Sequence, residues 1–102
     1  MGNTKEELLL NELAELSKAL SHPHRIRIIK ILAGLQEDGR CQQCMVGNIV
    51  DQLPIAQSTV SQHLKVLKDS GWIEGRIDGP RVCYCLRENI FKHYKSLIDN
   101  IR

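Results

Sequence analysis

Residues 57–86 read "QSTVSQHLKVLKDSGWIEGRIDGPRVCYCL", and the change of period inside this stretch decides the fold. Up to Gly71 the apolar residues Val60, Leu64 and Leu67 recur at i, i+4 and i+7, one face of an α-helix. Ser58, Ser61, Gln62 and Lys65 share the opposite side. Gly71 is a C-terminal helix stop. Beyond it, "WIEGRI" and "RVCYCL" flank "DGP" and read as a β-hairpin around a glycine-containing turn.

Working outward, "VGNIVDQL" is a short helix closed before Pro54, and "PIA" is a turn. Residues 46–71 therefore form a helix-turn-helix, whose second helix carries hydrogen-bonding side chains on its exposed N-terminal face. With the hairpin at 72–86 placed directly after it, the fold is a winged helix, mainly α with one small β-hairpin. In that arrangement the helix offers groups to base edges in the major groove. The hairpin carries charge beside it to phosphate or the minor groove.

Upstream, "SHPHRIRIIKILAGL" is a helix capped by Ser21 or His22. Pro23 suits its first turn because the missing N–H is not needed there. Its buried stripe is Ile28, Ile31, Leu32 and Leu35. In "KEELLLNELAELSKAL", residues 5–20, Leu9, Leu13, Leu16 and Leu20 make one helical face, while Leu8 and Leu10 add apolar surface beyond it. That surplus predicts a second contact. "RENIFKHYKSLIDNIR" closes the chain as a helix over 88–101, with Phe91, Tyr94, Leu97 or Ile98, and Ile101 along one side.

The chain of 102 residues is one domain, too small for a large core and of a size that often gains stability by oligomerising. Its net charge of +2 decides little about partners unless the basic residues cluster. No apolar run approaches a membrane span, and the N-terminus lacks the pattern of a signal peptide. These features predict a cytoplasmic protein whose four cysteines stay reduced. A metal site, a redox pair and idle thiols remain open. There is no nucleophile–base–acid set and no glycine-rich phosphate loop, and "CQQC" lacks the βαβ setting of a thioredoxin-like motif, so no enzyme is expected.

At this point the sequence resembles the ArsR/SmtB family of small winged-helix repressors. "LSHPHRIRIIKIL" is similar to the family's second helix, and residues 57–86 to its recognition helix and wing. The resemblance implies a homodimer held by the first and last helices, which would employ Leu8 and Leu10. It also implies binding to a double-stranded DNA operator, released by an inducer such as a metal ion, arsenite or a thiol oxidant. The family's arsenite cysteine pair falls here on Met45 and Gly47, with Cys44 one residue out of register. Its metal site on the last helix would find only His93 and Asp99, which do not fit. The inducer does not carry over. Where family members often have Ser, this chain has Ala56, a poor N-cap. Thr59 with Gln62 is the alternative capping box.

The candidate DNA contacts are Gln57, Ser58, Thr59, Ser61, Gln62, His63, Lys65, Arg76 and Arg81. Gln57, Ser58, Thr59 and Gln62 are the base-edge candidates, since glutamine can pair with adenine. Ser61, Lys65, Arg76 and Arg81 read as phosphate positioners. The bland alternative is a solvated helix face and a hairpin kept soluble by charge. His22, His24, His63 and His93 show no ligand spacing on one helix face and read as capping, surface or DNA-adjacent residues.

The candidate metal ligands are Cys41, Cys44, Cys83 and Cys85. Side chains alternate along a strand, so Val82, Tyr84 and Leu86, the apolar set, face the core, and Cys83 and Cys85 share the outer face with Cα atoms about 6.6 Å apart. In winged helices the stretch before the third helix commonly pairs with the last hairpin strand, and here that stretch is "RCQQCM". Such pairing would bring four thiolates together as a zinc-type tetrahedral site. Arsenite would need three, and a dithiol switch two. A purely structural zinc, or a winged helix used as a protein-interaction adaptor, are the competing readings.

Overall fold

A computed structural model of the chain describes residues 4–35, 49 and 52–102. The elements are α1 (Lys5–Ala19), α2 (Pro23–Leu35), α3 (Gln57–Ser70), β1 (Ile73–Asp78), β2 (Arg81–Leu86) and α4 (Ile90–Asp99). The "VGNIVDQL" helix lies largely outside the described residues. Within it Ile49 is helical and fully buried.

Thr4 starts α1: its Oγ1 accepts the Glu7 N–H at 3.1 Å, satisfying one of the unpaired donors of the first turn. Sequence reasoning did not single this cap out. At the other end, Leu20 N–H turns back to Ser17 and Lys18. The Leu16 carbonyl instead accepts the Trp72 indole N–H at 2.8 Å. A side chain 56 positions away thus closes the last turn of α1.

The predicted stripes face the core. Leu16 is buried, and Leu9, Leu13 and Leu20 pack against the same cluster. In α2, Ile28, Ile29 and Leu32 are buried, with Ile31 partly so. In α3, Val60, Leu64 and Leu67 are all buried. α1 packs against α3 and α4, α2 against α3 and β2, and β1 against α3. Ser17 and Tyr94 share a 2.8 Å hydrogen bond between α1 and α4, and Glu12 bonds His93 across the same contact.

α3 begins at Gln57 with Ala56 as N-cap, and no side chain caps it; the Thr59–Gln62 capping box is not the start of this helix. Gly71 ends it at φ +100, a left-handed conformation in which a Cβ would lie 2.8 Å from the Arg87 guanidinium. β1 and β2 form an antiparallel pair from Ile73↔Leu86 to Asp78↔Arg81. The two-residue turn has Gly79 at φ +62 followed by Pro80, which fits a type II′ hairpin turn.

One expectation is overturned here. Cys83 and Cys85 do not face outward: they are 5% and 1% exposed, while Val82 is 43% exposed and Tyr84 half-buried. Leu86 is buried as well. Near its root β2 is covered on both faces, so strand alternation there sorts side chains between two interiors rather than between core and water. The segment holding Cys41 and Cys44, and its predicted pairing with β2, lie outside the described residues.

Candidate nucleic-acid interface and thiol pair

On α3 the polar face is presented as the sequence predicts. Gln57, Ser58, Ser61, Gln62 and Lys65 are exposed and Thr59 half-buried. The apolar residues on the opposite face fix the rotation of the helix, which points the glutamine amides away from the body of the domain. No anionic side chain lies in the first turn of α3, so the positive end of its dipole is open to a phosphate.

The first strand of the wing packs against α3. Arg76 is exposed and pairs with Glu74, Nη2 to Oε1 at 2.9 Å. Such an exposed pair is weak and can exchange for a phosphate. Arg81 is the cross-strand partner of Asp78 at the tip. Next to the tip, Ile77 is 85% exposed opposite Val82. The hairpin therefore carries apolar as well as basic surface, which sequence reasoning passed over because it assigned Val82 to the core.

His63 departs from the rest of the candidate set. It is 8% exposed and turns inward. Its ring lies 4.5 Å from that of His22 and 6.2 Å from that of His24, and the latter two are 5.3 Å apart. Three histidines that look scattered along the chain meet where α3 crosses the start of α2. His22 Nδ1 accepts the His24 N–H at 3.2 Å, so His22 caps α2 as expected. Arg25 Nε donates to the Ala19 carbonyl at 2.7 Å and its Nη2 to Ser21 Oγ at 3.2 Å, tying this corner to α1. Burial first, then the positive charges of His22, Arg25 and His24, hold the His63 pKa below the ordinary imidazole range. The contact between positions 22, 24 and 63 has no local sequence signal.

On β2, Cys83 and Cys85 share one side of the strand opposite Arg76 and Glu74 respectively. The Cys85 thiol donates to Glu74 Oε1 at 3.8 Å. Among the described residues no three histidine, cysteine or acidic side chains are disposed to hold a metal ion. The described residues alone thus do not make a metal site; they supply two of the four thiols that the sequence nominates. No helix among the described residues is long and apolar enough to cross a membrane.

Comparison with known proteins agrees with this geometry. Residues 22–74 match the profile of the bacterial regulatory proteins of the arsR family. The chain is 39% identical over 85 residues to the HTH-type transcriptional repressor SmtB of Mycobacterium tuberculosis, an alignment covering 83% of this chain and 58% of that protein. The chain thus spans a little over half the length of that relative. The crystal structure of the transcriptional repressor BigR from Xylella fastidiosa is 32% identical, with a TM-score of 0.65 over 95% of this chain and 92% of that one. A homodimeric winged helix-turn-helix DNA-binding domain from Mycobacterium bovis, 25% identical, superposes with a TM-score of 0.72 over 98% of this chain and 87% of that one. From the span of the profile match and the identity to SmtB, the chain belongs to the ArsR family of bacterial regulatory proteins.

Proposed function

We propose that this chain is a homodimeric, sequence-specific DNA-binding transcriptional repressor of the cytoplasm, and that it binds rather than catalyses. On this reading residues 1–102 are one winged helix-turn-helix domain. Residues 5–20 and 88–101 are its dimerisation helices, 46–71 the helix-turn-helix and 72–86 the wing. Gln57, Ser58, Thr59 and Gln62 read base edges, while Ser61, Lys65, Arg76 and Arg81 position phosphates. The observation that carries it is the outward row of Gln57, Ser58, Ser61 and Gln62 on α3, locked in place by the buried Val60–Leu64–Leu67 face and flanked by the wing. The test is enrichment of duplexes from a random pool. A repressor of this kind selects a pseudo-palindromic site with half-sites about one helical turn apart, and its affinity falls steeply with salt. Recovery of no preferred sequence would favour the adaptor reading.

Response to a ligand is assigned to Cys41, Cys44, Cys83 and Cys85 as one thiol site for a zinc-like ion, a metalloid or an oxidant. Its support is the shared, buried side of β2 that holds Cys83 and Cys85. Two thiols on one side of a strand are placed to ligate one thiophilic ion together. Elemental analysis with a thiol count on protein purified without reductant tests this. A bound ion, or two thiols lost as a pair, supports the site. Four reactive thiols with no metal, and DNA binding unmoved by Zn²⁺, arsenite or peroxide, would show the cysteines to be idle. If a bound ion is stripped, an intact fold with altered DNA binding marks a sensor, and unfolding marks structural zinc.

A further inference from the structure

We propose that His22, His24 and His63 form a proton-operated clamp, which holds the recognition helix α3 against the start of α2 when neutral and releases it when His63 takes up a proton. This rests on the repressor reading for its consequence in DNA binding, though not for the clamp itself.

The geometry is that of a closed contact with no place for an added charge. His63 is buried, and its Nε2 meets no hydrogen-bond partner among the described residues. Protonation would add an N–H at that buried nitrogen, which has no acceptor among the described residues, and a positive charge in a largely desolvated place. The groups that face His63 make matters worse: His22 and His24 across the ring contacts, and Arg25 behind them. The groups whose charges act on it, His22, Arg25 and His24, are all cationic or can become so. Arg25 cannot turn away without giving up its bonds to the Ala19 carbonyl and Ser21.

His22 links the ring contact to the backbone. Its Nδ1 accepts the His24 N–H, which requires that nitrogen to be unprotonated. A proton on His22 would therefore remove the cap of α2 at the same place where a proton on His63 pushes the two helices apart. Both events act at the N-terminal half of α3, whose outer face carries Ser58, Ser61 and Gln62. Further along, α3 stays anchored by Leu64 and Leu67, so the expected change is a local re-aiming rather than unfolding.

The sign follows from linkage. The folded His63 pKa is lowered, so the unfolded or released state binds more protons. The clamp is at full strength above about pH 6.5, the ordinary imidazole value. It weakens as the pH falls from there towards the folded-state pKa of His63, and once the pH is lower still nothing more is lost. Electrostatics alone would do the reverse, because protonated histidines beside DNA strengthen binding in acid. The two directions separate the clamp from a generic charge effect.

The experiment has two parts. NMR titration of the imidazole protons of the whole chain follows His63 without DNA; the clamp predicts that His63 titrates below the ordinary imidazole value and that α3 amide shifts move with it. A duplex enriched from a random pool at pH 7.5, and a scrambled duplex of the same length, are then titrated by fluorescence anisotropy from pH 7.5 to 5. Affinity for the enriched duplex should fall in acid, by up to about tenfold per pH unit for each protomer where release is complete, while that for the scrambled duplex rises. His63→Gln should flatten the acid loss, and His24→Gln, which removes one facing charge, should move it to lower affinity change and bring the His63 titration closer to the ordinary range. A His63 that titrates at or above the ordinary range overturns the clamp, whether or not the variants fold. So does parallel strengthening of both duplexes in acid. Failure to enrich any duplex would count against the repressor reading and leave the NMR result to decide the clamp.

Discussion

At the scale of the residue, Trp72 shows how one side chain joins parts distant in sequence. It is 2% exposed, donates its indole N–H to the Leu16 carbonyl, and sets its ring against Tyr94 and Phe91 of α4 at 5.0 and 6.1 Å. Its own carbonyl accepts the Arg87 N–H at 3.0 Å. Trp72→Phe keeps most of the apolar contact and deletes the indole donor, leaving the Leu16 carbonyl without its partner. Urea denaturation should record a loss of about 1–3 kcal/mol. An unchanged midpoint would mean that the end of α1 does not depend on this bond. The histidines and cysteines mark where residue-level reading fails. His22, His24 and His63 were legible as a cap and two polar residues, but a ring contact across some 40 positions leaves no trace in local spacing. Tyr84 and Leu86 pack on the core as their type suggests, and Cys83 and Cys85 share the other side of β2, but that side is covered too, which the sequence does not show. Cysteine is itself among the most buried residues, and the alternation of a strand says which side chains share a face without saying which face is wet.

At the scale of the element, α3 was the most legible part of the chain. Its apolar period, its glycine stop and its exposed polar row are all as the sequence predicts, because each depends on neighbours within a few residues. Its start was less legible. Ala56 has the extended backbone of an N-cap, φ −66 and ψ 149, and supplies no side-chain acceptor. Ala56→Ser places an oxygen where the first-turn amides need one. It should raise stability by about 0.5–2 kcal/mol in thermal or urea melts. A destabilised Ala56→Ser would show that those amides are already satisfied by other groups. The wing illustrates the opposite case. Its two strands and turn were legible from "GRIDGPRV", but its outward surface was not, since Ile77 and Val82 are core residues by type and yet lie exposed near the hairpin tip.

At the scale of the whole molecule, the described chain leaves Leu8 and Leu10 on α1, and Phe91, Ile98 and Ile101 at the C-terminal end, between 44% and 65% exposed. The surplus leucines legible in residues 5–20 are therefore not absorbed by the chain's own core. A dimer through α1 and α4 would bury them, at roughly 25 cal/mol for each Å² removed from water. Sedimentation should give a dimer at micromolar concentration, and Leu8→Glu with Phe91→Glu should shift it to monomer without loss of helical circular dichroism. A monomeric wild-type chain would remove this part of the account. The central claim is that α3 reads sequence while the wing holds backbone, and it is tested most directly by measuring Gln62→Ala and Arg81→Ala on an enriched and a scrambled duplex across a salt series. The account predicts that Gln62→Ala loses about 1–3 kcal/mol on the enriched duplex alone, and that Arg81→Ala weakens both duplexes and flattens the salt dependence by about one phosphate contact. Equal weakening of the two duplexes by Gln62→Ala would contradict it.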